Sequence, residues 1–389
     1  SSSLFCILFS SVKRGAQFYF FTNFFLHINV IFYQFKFFFD DQNFFYSVIN
    51  YLNFYIDNQP VIGKKNESIW QVAKRYGKTL PHLCYSDKKG YRADGNCRAC
   101  MVSIEGERVL AASCIRKPSE DMKVSTIDER STKSREMVLE LLVTDQPEKK
   151  VSHDPNSHFW NMAKEVEVNK SRFDKRSTSS IPKSDLSNKA MSVNLDACIH
   201  CNLCVRACRE IQVNDVIGMS SRGHSSKVIF DFDDPMGDST CVSCGECVQA
   251  CPTGALMEAN LLDENGKHKG KPDREVDSLC PYCGVGCQLT YQIKDDKIVS
   301  AVGRDGPANN NRLCVKGRFG FDYIHNPERI TKPLIRKKGA KKIANEKINP
   351  LDPSSHFREA SWEEALNLAA SRLKNIRDNS PGKALAGLG

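Results

Sequence analysis

Cysteine is the residue in this chain whose number and spacing could do chemistry. The 389 residues hold 17 cysteines, and with Cys6 set aside the other sixteen fall into four sets of four. The first set is Cys84, Cys97, Cys100 and Cys114, spaced C-x12-C-x2-C-x13-C. A close pair with outlying cysteines is a relative, with different gaps, of a 2Fe–2S pattern. A zinc site could be drawn from the same residues. Two runs follow with the spacing C-x2-C-x2-C-x3-C: Cys198, Cys201, Cys204 and Cys208 in CIHCNLCVRAC, then Cys241, Cys244, Cys247 and Cys251 in CVSCGECVQACP. Three cysteines at i, i+3 and i+6 on a tight loop can wrap three corners of a 4Fe–4S cube, and the fourth reaches the other cluster. The expected ligand sets are therefore crossed. Cys198, Cys201, Cys204 and Cys251 hold one cluster, and Cys241, Cys244, Cys247 and Cys208 hold the other. Arg209 stands where a proline usually follows, as Pro252 does after Cys251. The last set, Cys280, Cys283, Cys287 and Cys314, reads C-x2-C-x3-C-x26-C. Alone it would suit zinc as well; beside the other sets it is most simply a third 4Fe–4S cluster. Gly95, Gly284 and Gly286 are expected to let backbone N–H groups approach cluster sulfur.

Such tight CxxC runs suit metal ligation better than disulfide staples, and thiolate ligation points to a reducing compartment, with cytoplasmic the default. The formal net charge of +9 counts every cysteine as neutral. Sixteen ligating thiolates would remove that excess, so the charge is no nucleic-acid footprint.

The elements that must hold these cysteines are legible in part. Residues 53–61 (NFYIDNQPV) alternate around an Asp-Asn turn and predict a hairpin. Residues 68–76 (SIWQVAKRY) predict a short helix with a Ser cap and Gly77 as stop, Trp70 being a core aromatic. Residues 101–113 predict a second hairpin around Glu105-Gly106. Together they suggest a small α+β, β-grasp-type ferredoxin domain over 51–130. Residues 136–144 are helical, and a polar helix-and-linker region runs over 131–189, its basic stretch 169–180 solvated. The duplicated cysteine runs define 190–260, the last cysteine set 273–330, and 331–389 a truncated α/β start whose helix over 361–377 places Trp362, Leu366 and Leu373 on one face. The stretch from Ser1 through Phe54 holds 15 of the 22 phenylalanines. Residues 1–50 are broken by polar residues as a membrane span, show no clear signal-peptide pattern, and are expected not to be a functional part of the protein.

The segment GRDGPANNNRLCVKGRFGFDYIHNPERITKPLIR, with C-x2-C-x3-C before it, resembles the iron–sulfur domain opening the molybdenum or tungsten bis-pterin oxidoreductases. In company with PHLCYSDKKGYRADGNCRACMVSIEGERVLAASC, DACIHCNLCVRACREIQVNDVIG and DDPMGDSTCVSCGECVQACPTGAL, it is similar to the alpha subunits of cytoplasmic NAD-dependent formate dehydrogenases. The resemblance covers residues 54–389. It implies one 2Fe–2S and three 4Fe–4S clusters and a molybdenum or tungsten bis-molybdopterin guanine dinucleotide in the intact protein. It also implies a flavin/NAD-binding partner subunit and no membrane attachment. Lys316, with Gly317, would lie between the last cluster and a pterin and relay electrons. Larger relatives carry a further cluster held by one His and three Cys; residues 115–197 contain no cysteine, so His153 and His158 are expected to be ordinary polar residues. The family's active-site Cys or selenocysteine lies downstream of LCVKG, and no residue here is assigned to formate chemistry.

Other classes stay open at this level: a stand-alone electron carrier or adaptor subunit without a catalytic site, a hydrogenase or complex I-type subunit, or a zinc-only protein.

Overall fold

The computed structural model describes residues 51–175, 182–342, 347–349, 352–380, 382 and 384–387. The Phe-rich stretch, Cys6, and part of the basic run lie outside the described residues. Two compact units emerge, the first of residues up to Pro182 with Asp196–Leu203, the second of Lys183–Leu195 and the residues from Cys204 onward.

In the first unit, β1 (Tyr51–Ile56) and β2 (Gln59–Lys64) form the expected hairpin, with Ile56 facing Gln59. Asp57 and Asn58 turn the chain at φ of 51° and 63°, the left-handed pair that matches strand twist in a two-residue turn. Ser68 and Gln71 close a capping box on α1 (Ile69–Arg75), which buries Ile69, Trp70, Val72 and Ala73. Trp70 is core, and its indole N–H donates to the Leu80 carbonyl at 3.0 Å. β3 (Met101–Ile104), β4 (Ala111–Ala112) and β5 (Lys123–Ser125) complete a five-stranded sheet ordered β2-β1-β5-β3-β4. Only β1 and β5 run parallel.

Asp57 ties the first turn to the end of β5, accepting from the Thr126 amide (2.6 Å) and hydroxyl (2.7 Å) and from Lys78 (2.7 Å). Burial pushes its carboxyl up, but those bonds outweigh it and hold the group below its ordinary value.

α2 (Glu129–Asp145) starts well before the helical stretch read from sequence. Asp128 caps it, accepting from the Ser131 amide at 3.0 Å and from Ser103 Oγ at 2.7 Å. Asp128→Ala should lower the unit's stability by about 1–2 kcal/mol, read as an earlier midpoint in anaerobic urea unfolding. Arg135, buried on α2, donates to the carbonyls of Met101 (2.8 Å) and Thr126 (2.6 Å) and so pins the helix to the sheet.

The polar linker expectation fails in the middle of that region. α3 (His158–Glu165), capped by Ser157, buries Phe159, Trp160, Met162 and Ala163 with Leu139 of α2 and with Leu83 and Ala99 of the cysteine loops. Four apolar residues in one short helix are enough to dock it, although the surrounding composition is polar. His158 Nε2 donates to the His82 carbonyl at 2.8 Å, and His153 lies 3.4 Å from Asp196.

In the second unit, β6 (Met191–Val193) pairs antiparallel with β9 (Leu256–Glu258), and β7 (Ile217–Ser220) with β8 (Lys227–Phe230). A π-helical turn (Ala207–Ile211) and α4 (Glu246–Ala250) carry the later cysteines of the two runs. β10 (Arg274–Leu279), β11 (Gln288–Lys294) and β12 (Lys297–Gly303) form an antiparallel meander. α5 (Val315–Phe319) follows it. β13 (Leu334–Arg336) pairs with β14 (Phe357–Glu359), and the expected C-terminal helix, α6 (Trp362–Asn379), is capped by Ser361, with Trp362, Leu366 and Leu373 exposed.

Candidate cluster-binding sites

Cys84, Cys97, Cys100 and Cys114 lie on three loops of the first unit that the sheet and α1 bring together. Their sulfurs touch in sequence: Cys84 meets both Cys97 and Cys114, and Cys100 meets Cys114. Those contacts pull the Cys84 thiol well down and the Cys100 thiol to about 7, and push their partners Cys97 and Cys114 up. The Cys97 amide donates to Cys84 Sγ at 3.5 Å. The Ser113 hydroxyl holds the Cys100 carbonyl at 2.7 Å, fixing the second loop against the third. Gly95 also has a packing role. At φ +62° a Cβ there would stand 2.2 Å from Ile115 Cδ1, while the next residue, Asn96, turns its amide to Cys84 sulfur.

The two duplicated runs repeat in three dimensions. His200 donates its amide to Cys198 Sγ and Ser243 donates its amide to Cys241 Sγ, both at 3.4 Å. His200 and Ser243 have φ of 53° and 52°, and Asn202 and Gly245 have 61° and 72°. The same amide-to-sulfur step, from the residue two places on, recurs from Glu246 to Cys244 and from Ala99 to Cys97. Left-handed residues between ligands turn the N–H groups toward sulfur, which favours thiolate and lowers the cost of holding cluster charge.

Cys208, Cys241, Cys244 and Cys247 lie within one another's electrostatic reach in the second unit. Burial pushes the thiols of Cys241, Cys244 and Cys247 up, Cys247 furthest. At Cys244 the Glu246 amide and the Arg318 charge pull the other way. The Val216 amide donates to Cys208 Sγ at 3.4 Å. Arg209, in place of a proline, sits in the π-helical turn and pairs with Asp215 at 2.5 Å. Of the other crossed set, Cys198 and Cys201 belong to the first unit and Cys204 and Cys251 to the second.

Cys280 and Cys287 flank the connection between β10 and β11, the Cys280 amide donating to the Cys287 carbonyl at 2.9 Å. Cys314 is the residue before α5, and all of Cys280, Cys283 and Cys314 act on Cys287, whose thiol is raised first by burial and then by them. Gly286 needs its φ of +67° for this turn, yet its amide goes to the Cys283 carbonyl at 3.4 Å. Neither Gly284 nor Gly286 is crowded. Tyr282 donates its hydroxyl to the Gly320 carbonyl and so closes the cysteine loop onto the end of α5.

Among the described residues no three His, Cys, Asp or Glu side chains close on one point as ligands of a single ion would. A cluster does not ask this of its thiolates, because they bind more than one iron. The soft donor sets and the amides aimed at sulfur fit iron–sulfur clusters.

Residues 50–129 match the 2Fe-2S iron-sulfur cluster binding domain, 197–255 the 4Fe-4S dicluster domain, and 273–326 the molybdopterin oxidoreductase Fe4S4 domain. The chain thus carries, in order, a 2Fe-2S domain, a 4Fe-4S dicluster domain and the Fe4S4 domain of molybdopterin oxidoreductases. It is similar to "Putative formate dehydrogenase SH0748" of Staphylococcus haemolyticus, 27% identical over 85% of this chain and 35% of that protein. It is 28% identical to the NADPH-Fe(3+) oxidoreductase subunit alpha of Geobacter sulfurreducens, over 86% of this chain and 36% of the relative. "Probable oxidoreductase YjgC" of Bacillus subtilis is also 28% identical, over 81% of this chain and 34% of that protein. The chain thus spans about a third of the length of the curated relatives it matches. A chain in the crystal structure of NAD+-reducing NiFe-hydrogenase in the H2-reduced state aligns at 23% identity and a TM-score of 0.48, over 54% of this chain and 87% of that one.

In the matched Fe4S4 domain, α5 places Lys316 in solvent two residues past Cys314 and packs Gly317 inward. A Cβ on Gly317 would stand 3.5 Å from Cys280 Sγ and 3.4 Å from Leu313. Several polar residues of this region carry no sequence signal. Asn309 accepts from the Gln288 amide at 2.9 Å and donates to the carbonyls of Gln288, Arg304 and Arg312, folding the loop that delivers Cys314. Arg318, 1% exposed, donates from Nε to the Cys244 carbonyl (2.9 Å) and from Nη1 to Gln249 (2.9 Å), with Glu246 at 3.4 Å from Nη2. Gln249 also accepts from the Gly303 amide at 3.1 Å and donates to the Asn311 carbonyl at 3.1 Å. This buried network joins the second cysteine run to the strand and loop leading to Cys314.

The described residues include no helix long and apolar enough to cross a membrane.

Proposed function

We propose that the chain is the electron-transfer portion of a formate dehydrogenase alpha subunit, cytoplasmic and working with a flavin/NAD-binding partner subunit. The observation that carries this reading is the order of matched domains, 2Fe-2S, dicluster and molybdopterin-type Fe4S4, within relatives that include one named as a formate dehydrogenase. The domain division follows the cysteine sets, with the ferredoxin domain over 51–130 in a β-grasp-type arrangement, the dicluster domain over 190–260 and the third 4Fe–4S domain over 273–330. Cys84, Cys97, Cys100 and Cys114 hold a 2Fe–2S cluster. Cys198, Cys201, Cys204 and Cys251 hold one 4Fe–4S cluster, Cys241, Cys244, Cys247 and Cys208 a second, and Cys280, Cys283, Cys287 and Cys314 a third.

A molybdenum or tungsten bis-pterin supplies, when bound, the chemistry that takes two electrons from formate and releases carbon dioxide and a proton. The residues of this chain move those electrons singly. Lys316 and Gly317, beside the third set, are the side of this domain that would face the pterin. Lys316 acts as the relay, its exposed charge close to Cys314 and Gly317 leaving the backbone against Cys280 sulfur.

The test is anaerobic stopped-flow reduction of the purified holoprotein by formate, followed at the cluster absorption. Formate should bleach the clusters. Lys316→Met should retain its iron and slow that bleaching on the order of tenfold or more. Full cluster loading with no response to formate, but with response to another reductant, would remove formate as substrate. Equal rates in wild type and variant would remove Lys316 as the relay.

A further inference from the structure

We propose that Arg318 sets the reduction potential of the cluster held by Cys208, Cys241, Cys244 and Cys247, and that it does so as a charged positioning residue delivered from the helix that begins after Cys314. The inference rests on the ligand set proposed above. It concerns a residue that is neither a ligand nor part of the relay.

The geometry begins at Gly245, between Cys244 and Cys247. Its counterpart in the first run is Asn202, which holds the same left-handed backbone with a side chain attached. The backbone alone therefore does not require glycine at 245. Space does: a Cβ on Gly245 would lie 2.1 Å from Arg318 Cδ and 2.7 Å from its Nε. Gly245 opens the cluster loop of the second run to the arginine stem, and the first run is not opened in this way. The guanidinium then lies against the loop, with Nε on the Cys244 carbonyl at 2.9 Å. Its other nitrogens are held by neutral Gln249 at 2.9 Å and by the Glu246 carboxylate at 3.4 Å, a buried ion pair whose negative partner offsets part of the arginine's charge. Every arm is fixed, so the charge cannot swing to solvent.

A fixed cation at a buried cluster favours the state with one more electron, because screening by water is poor there. Arg318 therefore raises the potential of this cluster relative to one lacking such a neighbour. Because its helix carries Cys314 immediately before the first turn, the same side chain also fixes how the second and third candidate clusters stand to each other.

The experiment is an EPR-monitored redox titration of the anaerobic holoprotein, with iron and sulfide counted on each sample. Arg318→Gln should move one 4Fe–4S midpoint to more negative potential and leave the other two in place. Arg318→Lys, which keeps the charge, should stay close to wild type. Unchanged midpoints in a fully loaded Arg318→Gln protein would overturn the proposal. So would a Lys variant that shifts as far as the Gln variant, since charge would then not be the cause. If both variants lose the same four irons, Arg318 assembles the site and does not set its potential, and the proposal again falls. A wild-type protein with no 4Fe–4S signals would instead overturn the ligand assignment beneath it.

Discussion

Cys100→Ser should leave the protein folded but short of its 2Fe–2S centre, with iron falling by about two from about fourteen per chain and sulfide falling in step. Cys100 is buried beside the sheet core, and its sulfur touches Cys114. A serine oxygen is a harder, poorer ligand for these irons, and it is held where no water can replace it. The fold should survive because Phe54, Ile56, Val72 and Val124 close the same core without the cysteine. The three 4Fe–4S signals should persist. On the proposed function, NAD reduction by the complex should stop and formate should still reduce the remaining clusters. Metal analysis decides the matter. Stoichiometric zinc without sulfide in the wild type would sink the cluster account, and an unchanged iron count in the variant would sink Cys100 as a ligand.

What the sequence makes plain here is local. The cysteine spacings, the Asp57-Asn58 turn and the Ser68 cap are each set by residues a few places apart, and each is present in the structure. The same is true of the Ser361 cap. What it hides is pairwise and distant. Arg318 meets Cys244, Glu246 and Gln249 some seventy residues earlier, and a single sequence holds no sign that these belong together. Asn309 is hidden for a related reason, since its partners are backbone groups that any residue could supply. Composition masks α3: His158–Glu165 is apolar at only four buried positions, inside a stretch rich in Lys, Ser and Asp. Gly95 hides a second, packing role, since Ile115 occupies the space that its missing Cβ provides.

Glu258 gives one of the two largest pH effects expected of groups outside the cysteine sets; the other, His82, pushed down by burial to about 4, has the opposite sign. Glu258 lies on β9, 4% exposed, with Oε1 accepting from Ser300 on β12 at 3.0 Å and Oε2 without a hydrogen-bond partner. Burial pushes its carboxyl up, Arg318 and Ser300 pull it back, and the balance stands at about 7 against an ordinary 4.5. The folded state therefore holds this proton more tightly than the unfolded chain. Stability from this group is fully present below pH 4.5 and is lost as pH rises through about 7, beyond which the curve flattens. Across that window the slope approaches about 1.4 kcal/mol per pH unit, for a total of about 3 kcal/mol. Asp57, Asp128 and Asp185 have lowered carboxyl values, so their contributions have the opposite sign and fall away only in more acidic solution. Glu258→Gln should flatten the curve between about pH 4.5 and 7. At about pH 8 it should exceed wild type by about 2 kcal/mol, less than the full difference because the new amide leaves a buried donor unpaired at a cost of about 1 kcal/mol. Anaerobic urea unfolding at several pH values, with iron counted before each melt, separates this effect from cluster loss. Parallel curves for the two proteins would mean that Glu258 is already ionised in the fold at neutral pH, held there by Arg318.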